Sequence, residues 1–186
     1  MELFPELQVG WLNGWILLVI EFLIQGGLLL IFPKAVVKRL FDRSGWDVKQ
    51  KLFLVTGKVF SLITLGLIIL TPLKINTGLF LAGIILYIIG VAGLVVAMYN
   101  FKNTPLDQPV TRGVYKVSRH PQLVAQFIFL SGICLAIGSG VALGALVLSR
   151  TSQHFGILAE EEVCLKNYGD PYRTYMNTVP RYFLFF

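Results

Sequence analysis

The sequence contains one apolar run that is long enough to fix the class of the fold. From Gly78 to Tyr99 it reads GLFLAGIILYIIGVAGLVVAMY, without a charged side chain. A helix needs roughly 20 apolar residues to cross the hydrocarbon core of a bilayer. Because the run is continuously apolar and does not alternate, it indicates a helix and not a strand of a β-barrel. It therefore predicts a transmembrane helix, in which Gly83, Gly90 and Gly93 suit close packing against a neighbour.

The rest of the chain is also too apolar for a soluble domain. Hydrophobic residues make up 55% of its 186 residues and charged residues only 14%, whereas soluble domains carry about 25% charged residues. We therefore predict an all-α polytopic membrane protein that forms one domain, residues 1–186. About five transmembrane helices are predicted, at residues 11–32, 52–70, 78–99, 121–137 and 141–158.

The fourth apolar region, Leu123 to Leu148, allows two paths of the chain. It can form one long helix, or the Gly138-Ser139-Gly140 sequence can break it into a helical hairpin. A single crossing would leave the carboxyl-terminal tail on the opposite side of the membrane from Arg119 and His120, whereas a hairpin would return it beside them. Since the tail carries several basic residues, which favour the cytoplasmic side, we predict the hairpin.

Lysine and arginine residues cluster in two of the predicted loops, at about residues 33–51 and 102–119. Cytoplasmic loops of membrane proteins are enriched in these residues, so both loops are predicted to lie in the cytoplasm. This topology accounts for the formal charge of +6, and since no recognition module is visible we predict no nucleic-acid partner. The closing sequence RYFLFF, residues 181–186, predicts an aromatic anchor at the membrane interface.

The Arg119-His120-Pro121 sequence marks the start of the fourth predicted helix. Proline is favoured at the first position of a helix, so the helix is predicted to begin at Pro121 with His120 just outside it. The N–H groups of the residues that follow, Gln122, Leu123 and Val124, are then predicted to be unpaired and to form a helix terminus suited to a carboxylate or phosphate. Alternatively, Arg119 only marks the cytoplasmic end of the span and His120 only caps the helix.

An acidic cluster, Glu160 to Glu162, lies in the tail. Three successive side chains on a helix fan over about 200°, so at most one or two of them face a common pocket. If the hairpin forms, the cluster lies on the same side as Arg119 and His120, and the two groups together suit a zwitterionic ligand. The alternative is a solvated helix surface. Inside the first predicted span, Glu21 is either a functional group or a neutral packing residue.

Two motifs of the carboxyl-terminal half together resemble a known family. The sequence VTRGVYKVSRHPQ, an apolar hairpin and then EEVCLKNYGDPYRTYMNTVP resemble the isoprenylcysteine carboxyl methyltransferases and their relatives, the phospholipid N-methyltransferases. The resemblance covers about residues 100–183. The matching positions are Gly113, Tyr115, Arg119, His120, Pro121, Glu161, Glu162, Leu165, Tyr168, Gly169, Tyr172, Tyr175, Val179 and Pro180.

The resemblance implies a methyltransferase whose catalytic region is about residues 100–186. It implies S-adenosylmethionine as the methyl donor, leaving S-adenosylhomocysteine, bound between the third loop and the tail. No metal is predicted, because the two cysteines and two histidines show no ligand spacing. The residues implied for cofactor binding are Gln108, Pro109, Val110, Tyr115, His120, Pro121, Gln122, Leu123 and Glu161.

The resemblance leaves the methyl acceptor open. Family members that methylate prenylcysteine often carry an arginine four residues before the first glutamate, where this chain has Ile157. The candidates to replace it are Arg150, His154, Arg173 and Arg181. A carboxylate acceptor needs a cationic partner such as Arg173 or Arg181. An amine acceptor needs a base such as Glu162 to take its proton.

We expect a lipophilic acceptor to enter from the bilayer and to be methylated on a carboxylate, as in an S-prenylated cysteine or a similar lipophilic acid. A phospholipid N-methyltransferase of the phosphatidylethanolamine type is the alternative enzyme. A small membrane transporter or scaffold is the non-enzymatic alternative, although the inverted halves typical of transporters are not visible. The predicted protein is an integral, multi-pass membrane protein with its active site on the cytoplasmic side, in contact with its lipid substrate and membrane lipids.

Overall fold

A computed structural model describes residues 1–42 and 48–183 of the chain. In this part every regular element is helical, which confirms the all-α prediction. The elements are α1 (Trp15–Ile31), α2 (Lys34–Phe41), α3 (Val48–Leu70), α4 (Gly78–Lys102), a 3₁₀ turn (Gly113–Lys116), α5 (Pro121–Ala136), α6 (Gly140–Tyr168) and α7 (Asp170–Thr178).

Among the described residues, α4 is the helix that is clearly long and apolar enough to cross a membrane. Three other apolar segments are shorter: Trp15–Ile31, Val55–Leu70 and Pro121–Ala136. The outer surface of α4 is apolar, with Leu81 and Ile88 both exposed. The arrangement of five membrane-spanning helices therefore stays a prediction.

Glycines bring the backbones of α4 and α5 into close contact, as the small-residue series predicted. A Cβ atom on Gly83 would lie 2.5 Å from the carbonyl oxygen of Gly132, and one on Gly132 would lie 2.5 Å from the Tyr87 nitrogen. A Cβ on Gly90 would collide with the backbone of Phe129. Gly93 is different, because a Cβ there would lie 3.5 Å from the nearest atom, an ordinary contact.

The chain reverses direction between α5 and α6, which confirms the hairpin. Gly138 has a φ of +66°, a left-handed conformation that glycine adopts without strain. The Ser139 side chain then caps α6, accepting a hydrogen bond from the Ala142 N–H at 3.2 Å. The returning helix places Glu161 beside His120. It continues to Tyr168, past the predicted end at residue 158, because the next residue in a left-handed conformation is Gly169, with a φ of +60°.

The amino-terminal segment packs at the hairpin end of the molecule, away from the carboxyl-terminal tail. The Glu2 N–H donates to the Gly138 carbonyl at 2.9 Å, and the Gly140 N–H donates back to the Glu2 carbonyl at 2.8 Å.

Glu21 of α1 is buried, with 4% of its surface exposed, among residues of the apolar core.

Two sequence predictions fall partly on residues that the structure does not describe. The predicted cytoplasmic loop at 33–51 contains α2, a helix that the sequence did not indicate, and residues 43–47 of this loop lie outside the described part. The predicted aromatic anchor extends over residues 184–186, which also lie outside it.

Candidate active site

Hydrogen bonds to backbone carbonyls join the segment before α5 to the carboxyl-terminal tail. The Arg119 N–H donates to the Pro180 carbonyl at 2.9 Å, and the Ser118 hydroxyl donates to the Arg181 carbonyl at 2.9 Å. The Tyr175 hydroxyl of α7 donates to the Tyr115 carbonyl at 2.7 Å. The two motifs that resemble one family in sequence are therefore one structural unit.

A buried cluster of charges lies at the centre of this unit. The Glu161 side chain, on a residue only 2% exposed, accepts hydrogen bonds from Arg181 Nη2 at 2.8 Å and from Arg181 Nε at 3.1 Å. The His120 Nε2 atom lies 3.1 Å from Glu161 Oε1. The Arg119 Nε atom is also 3.1 Å from Oε1, which is close enough for an ion pair although it is not aligned for a hydrogen bond.

The surroundings of Glu161 keep it ionised. Burial by itself would raise the pKa of the Glu161 carboxyl, but the hydrogen bonds from His120 and Arg181 and the charge of Arg119 outweigh burial and lower this pKa to about 2. A carboxylate that holds three basic side chains at once fixes the turn before α5 against α6. Glu161 and its partners Arg119, His120 and Arg181 thus form the frame of the site, a buried cluster of ion pairs.

A cavity of about 730 Å³ lies next to this cluster. Its wall is built by α1, α2, the end of α4, the loop before the 3₁₀ turn, α5, α6 and α7. Most of the residues that the sequence implied for cofactor binding line it: Pro109, Val110, Tyr115, His120, Gln122 and Leu123. Gln108 instead lines a smaller neighbouring cavity, which shares Pro109 and Tyr168 with the large one. Pro121 and Glu161 are buried beside the cavity and are not part of its wall.

The residues predicted for the acceptor and for proton transfer lie outside the cavity wall. Glu162 is exposed and pairs with Lys166 at 3.0 Å. Arg173 is exposed and lies 3.8 Å from Asp170. Arg181 belongs to the buried cluster around Glu161.

Glu160 is the glutamate of the acidic cluster that faces the cavity. It shares this side of α6 with Ile157, Cys164 and Asn167, which also line the wall. These residues follow the three- and four-residue spacing of one helix face. The periodicity starting from Ile157 is the sequence signal that identifies Glu160, and the sequence analysis did not use it.

Ile157 does stand on the cavity wall, where the resemblance places an arginine in some relatives. The proposed replacements lie elsewhere. Arg150 reaches the wall only through Gln126, donating to Gln126 Oε1 at 3.4 Å. The His154 Nδ1 atom lies 3.1 Å from the Tyr182 hydroxyl. Neither residue lines the cavity.

The start of α5 differs in part from the prediction. The helix begins at Pro121 with His120 at the N-cap, as predicted. The prediction of free N–H groups is wrong for Leu123 and Val124, which donate to the His120 carbonyl at 3.1 and 3.2 Å. The Gln122 side chain instead donates to the Tyr115 hydroxyl at 3.0 Å. Burial raises the pKa of the Tyr115 hydroxyl, so this phenol stays protonated in the wall.

Helix α2 supplies a part of the wall that the sequence analysis treated as a loop. Ala35, Lys38 and Arg39 of α2 and Asp42, which directly follows it, line the cavity with the spacing of one helix face. Leu40 and Phe41, near the end of the helix, line it as well. The opposite face is anchored in the core by Val36. The alternation of these two faces within a short basic segment is the signal that predicts such a helix.

Comparison with known families gives one match. The sequence model of the family described as phospholipid methyltransferase matches residues 53–171. This region includes the cavity walls contributed by α4, α5 and α6 and leaves α1 and α2 outside. No curated protein matches the chain. Within the described residues, no group of histidine, cysteine or acidic side chains is arranged to hold a metal ion.

Proposed function

The chain belongs to the phospholipid methyltransferase family, a family of membrane methyltransferases of lipophilic substrates, and we propose that it transfers a methyl group from S-adenosylmethionine to a lipid-tailed acid. The proposed acceptor group is the carboxylate of an S-prenylated cysteine or of a similar lipophilic molecule. Because this is a family of methyltransferases, we prefer an enzyme to the alternative of a small transporter or scaffold.

The observation that carries this proposal is the position of the cavity. Its wall joins polar residues of the loops and the tail to Gln25 and Gln126, which lie within the apolar helices α1 and α5. A cavity of about 730 Å³ falls in the range of sites for cofactors and drug-sized ligands, roughly 300–1,000 Å³. It therefore suits a reaction between a polar cofactor and a headgroup whose tail stays among the helices.

The side chains of the wall fit a zwitterionic cofactor that carries an aromatic ring. In this proposal His120 and Gln122 bind its carboxylate, and Glu160 and Asn167 bind its amine; all four line the cavity. Pro109 and Val110, which also line the cavity, offer an apolar surface for the ring. S-adenosylmethionine supplies an electrophilic methyl group on a sulfonium. The protein's contribution is to orient the acceptor in line with that group and to exclude water.

Lys38 on the cavity wall supports an anionic acceptor, since Arg119 and His120 pair with Glu161 and Arg39 holds carbonyls of the loop. Among the described residues that line the cavity, the basic side chains are Lys38, Arg39, Arg119 and His120, and the carboxylates are Asp42 and Glu160. A carboxylate acceptor is already ionised at neutral pH, so it needs a cationic surrounding and no general base. Since Arg173 lies at the surface, we assign to Lys38 of the wall the role that the sequence suggested for Arg173.

Glu160 favours a second candidate, methylation of a phospholipid amine. An ammonium group must lose a proton before it can attack, and a carboxylate on the cavity wall is placed to accept that proton. Glu162, the base suggested by the sequence, is exposed and paired with Lys166. The family description also names phospholipids.

The two candidates are separated by transfer of a labelled methyl group in detergent micelles. Purified protein is incubated with labelled S-adenosylmethionine and either farnesylcysteine or phosphatidylethanolamine. We expect label on farnesylcysteine, and label on phosphatidylethanolamine alone would establish the second candidate. If neither lipid is labelled although the cofactor binds, the acceptor assignment is wrong.

We further propose that the chain crosses the membrane five times, as one domain, with the cavity on the cytoplasmic side. The apolar character of α1, α3, α4, α5 and the first part of α6 supports this arrangement. A reporter fused to the carboxyl terminus is expected to report the cytoplasm. A signal from the opposite side would contradict the arrangement.

A further inference from the structure

We infer that Arg39 of α2 is a positioning residue that fixes the loop between α4 and the 3₁₀ turn over the cofactor. This inference rests on the proposed function, because it concerns the affinity of the same cavity. The loop comprises residues 103–112, and its Pro109 and Val110 line the cavity.

Arg39 uses its guanidinium to hold the loop by its backbone. Its Nη1 donates to the Pro105 carbonyl at 3.0 Å, and its Nη2 donates to the Gln108 carbonyl at 2.6 Å. Nη2 also donates to the Tyr168 hydroxyl at 3.1 Å, at the end of α6. One side chain of α2 therefore connects the loop to the helix that carries Glu160.

The guanidinium also packs against aromatic rings. Its central carbon lies 5.2 Å from the ring centre of Phe101 and 5.8 Å from that of Tyr168. These distances are within the range of cation–π contacts. A planar group with several fixed donors suits this combination of two carbonyls, a hydroxyl and two rings, and a lysine ammonium does not reproduce it.

The position of Pro109 and Val110 depends on this contact because they follow Gln108 directly. The loop contains no regular element. Within the loop, the Gln108 N–H donates a long hydrogen bond to the Pro105 carbonyl, at 3.3 Å. Arg39 donates to the carbonyls of these same two residues. A wall residue that is not held to within about 0.5 Å loses much of its contribution to binding.

Arg39 acts from outside the region that matches the family, since the match begins at residue 53. Its acceptors on the loop are backbone carbonyls, which any residue supplies. The contact is therefore a feature of this chain's fold, and α2 becomes part of the binding machinery.

The experiment compares Arg39→Gln and Arg39→Lys with a matched control, Arg112→Gln. Arg112 also donates to a carbonyl of the loop, that of Asn103 at 2.9 Å, but it does not line the cavity. S-adenosylmethionine affinity is measured by calorimetry in micelles, and kcat and KM by label transfer. We expect about a tenfold rise in the cofactor Kd and KM for Arg39→Gln, from the loss of charge-assisted hydrogen bonds, with kcat at saturating cofactor within about twofold.

Arg39→Lys is expected to restore only part of the affinity, and Arg112→Gln to keep the wild-type value. An unchanged cofactor Kd in Arg39→Gln would overturn the inference. So would a fall in kcat and thermal stability with the Kd unchanged, since that result identifies a purely structural residue.

Hydrogen exchange tests the same inference without cofactor or acceptor. In Arg39→Gln the amides of residues 106–108 and of Val110 are expected to exchange faster than in Arg112→Gln, and equal exchange would overturn the inference. If wild-type protein binds no S-adenosylmethionine, the proposed function fails while the exchange result still decides whether Arg39 holds the loop. Should Arg39→Gln not fold, Tyr168→Phe removes one acceptor of the same guanidinium and is expected to weaken cofactor binding in the same direction.

Discussion

Replacing Glu161 by glutamine removes the charge on which the frame of the site depends. Glu161 is only 2% exposed, and its carboxylate lies within 3.1 Å of atoms of Arg119, His120 and Arg181. Glutamine has nearly the same shape, so the change leaves these basic groups buried without a counter-charge. The cost of losing the counter-charge is largest at Arg119, because this residue is itself only 6% exposed.

The size of the effect follows from the pKa of Glu161. A fall from the ordinary 4.5 to about 2 corresponds to about 3 kcal/mol of stability at neutral pH. Measured losses on breaking a buried ion pair are similar, about 3–5 kcal/mol. Because the folded-state pKa is lowered, this stabilisation is present above about pH 4.5 and is lost as the pH falls toward 2. At pH 3 about half of it remains.

The assay is chemical unfolding in detergent micelles, followed by tryptophan fluorescence at several pH values. Glu161→Gln is expected to unfold with a free energy about 3 kcal/mol below wild type at pH 7, and the difference should shrink to about half at pH 3. Glu162→Gln is the matched control, since its exposed pair with Lys166 contributes at most about 1 kcal/mol. If the two variants are equally stable at pH 7, or the difference is the same at pH 3, the ion-pair explanation is wrong.

Three further predictions use the same protein in micelles. Glu160→Gln should lower labelled methyl transfer at least tenfold because Glu160 lines the cavity, whereas Glu162→Gln, at the surface, should stay near wild type; equal activities would contradict the assignment. Gly90→Ala should lower the free energy of unfolding by about 2 kcal/mol because its Cβ would collide with α5, while Gly93→Ala has room and should be tolerated. Tyr175→Phe should cost about 1 kcal/mol, since its hydroxyl donates to the Tyr115 carbonyl in the 3₁₀ turn at 2.7 Å, and denaturant unfolding measures the loss.

The sequence predicted those parts of the fold that are set by the conformational preference of a single residue. Pro121 begins α5 because proline suits the first turn of a helix. Gly138 reverses the chain because glycine takes a positive φ without strain. The glycine break, with the basic residues of the tail that favour the cytoplasmic side, was enough to predict that the tail returns to Arg119 and His120.

The parts that the sequence did not predict depend on tertiary packing. Glu160 and Glu161 are neighbours, and a rotation of about 100° per residue decides which one faces the cavity. The spacing of Ile157, Glu160, Cys164 and Asn167 groups Glu160 with one face of α6, but which face points to the cavity is set by how α6 packs. Arg39 was missed for another reason: two of its acceptors are backbone carbonyls, which have no sequence signature.

The buried cluster also bears on where substrate selectivity resides. Arg119 and Glu161 belong to the motifs that carry the family resemblance, and they pair with one another inside the protein. Their charges are largely neutralised there, so they give little preference between an anionic and a cationic acceptor. Such a preference has to come from wall residues outside these motifs, such as Ile157 and Lys38. Two proteins can therefore share this frame and methylate chemically different lipids.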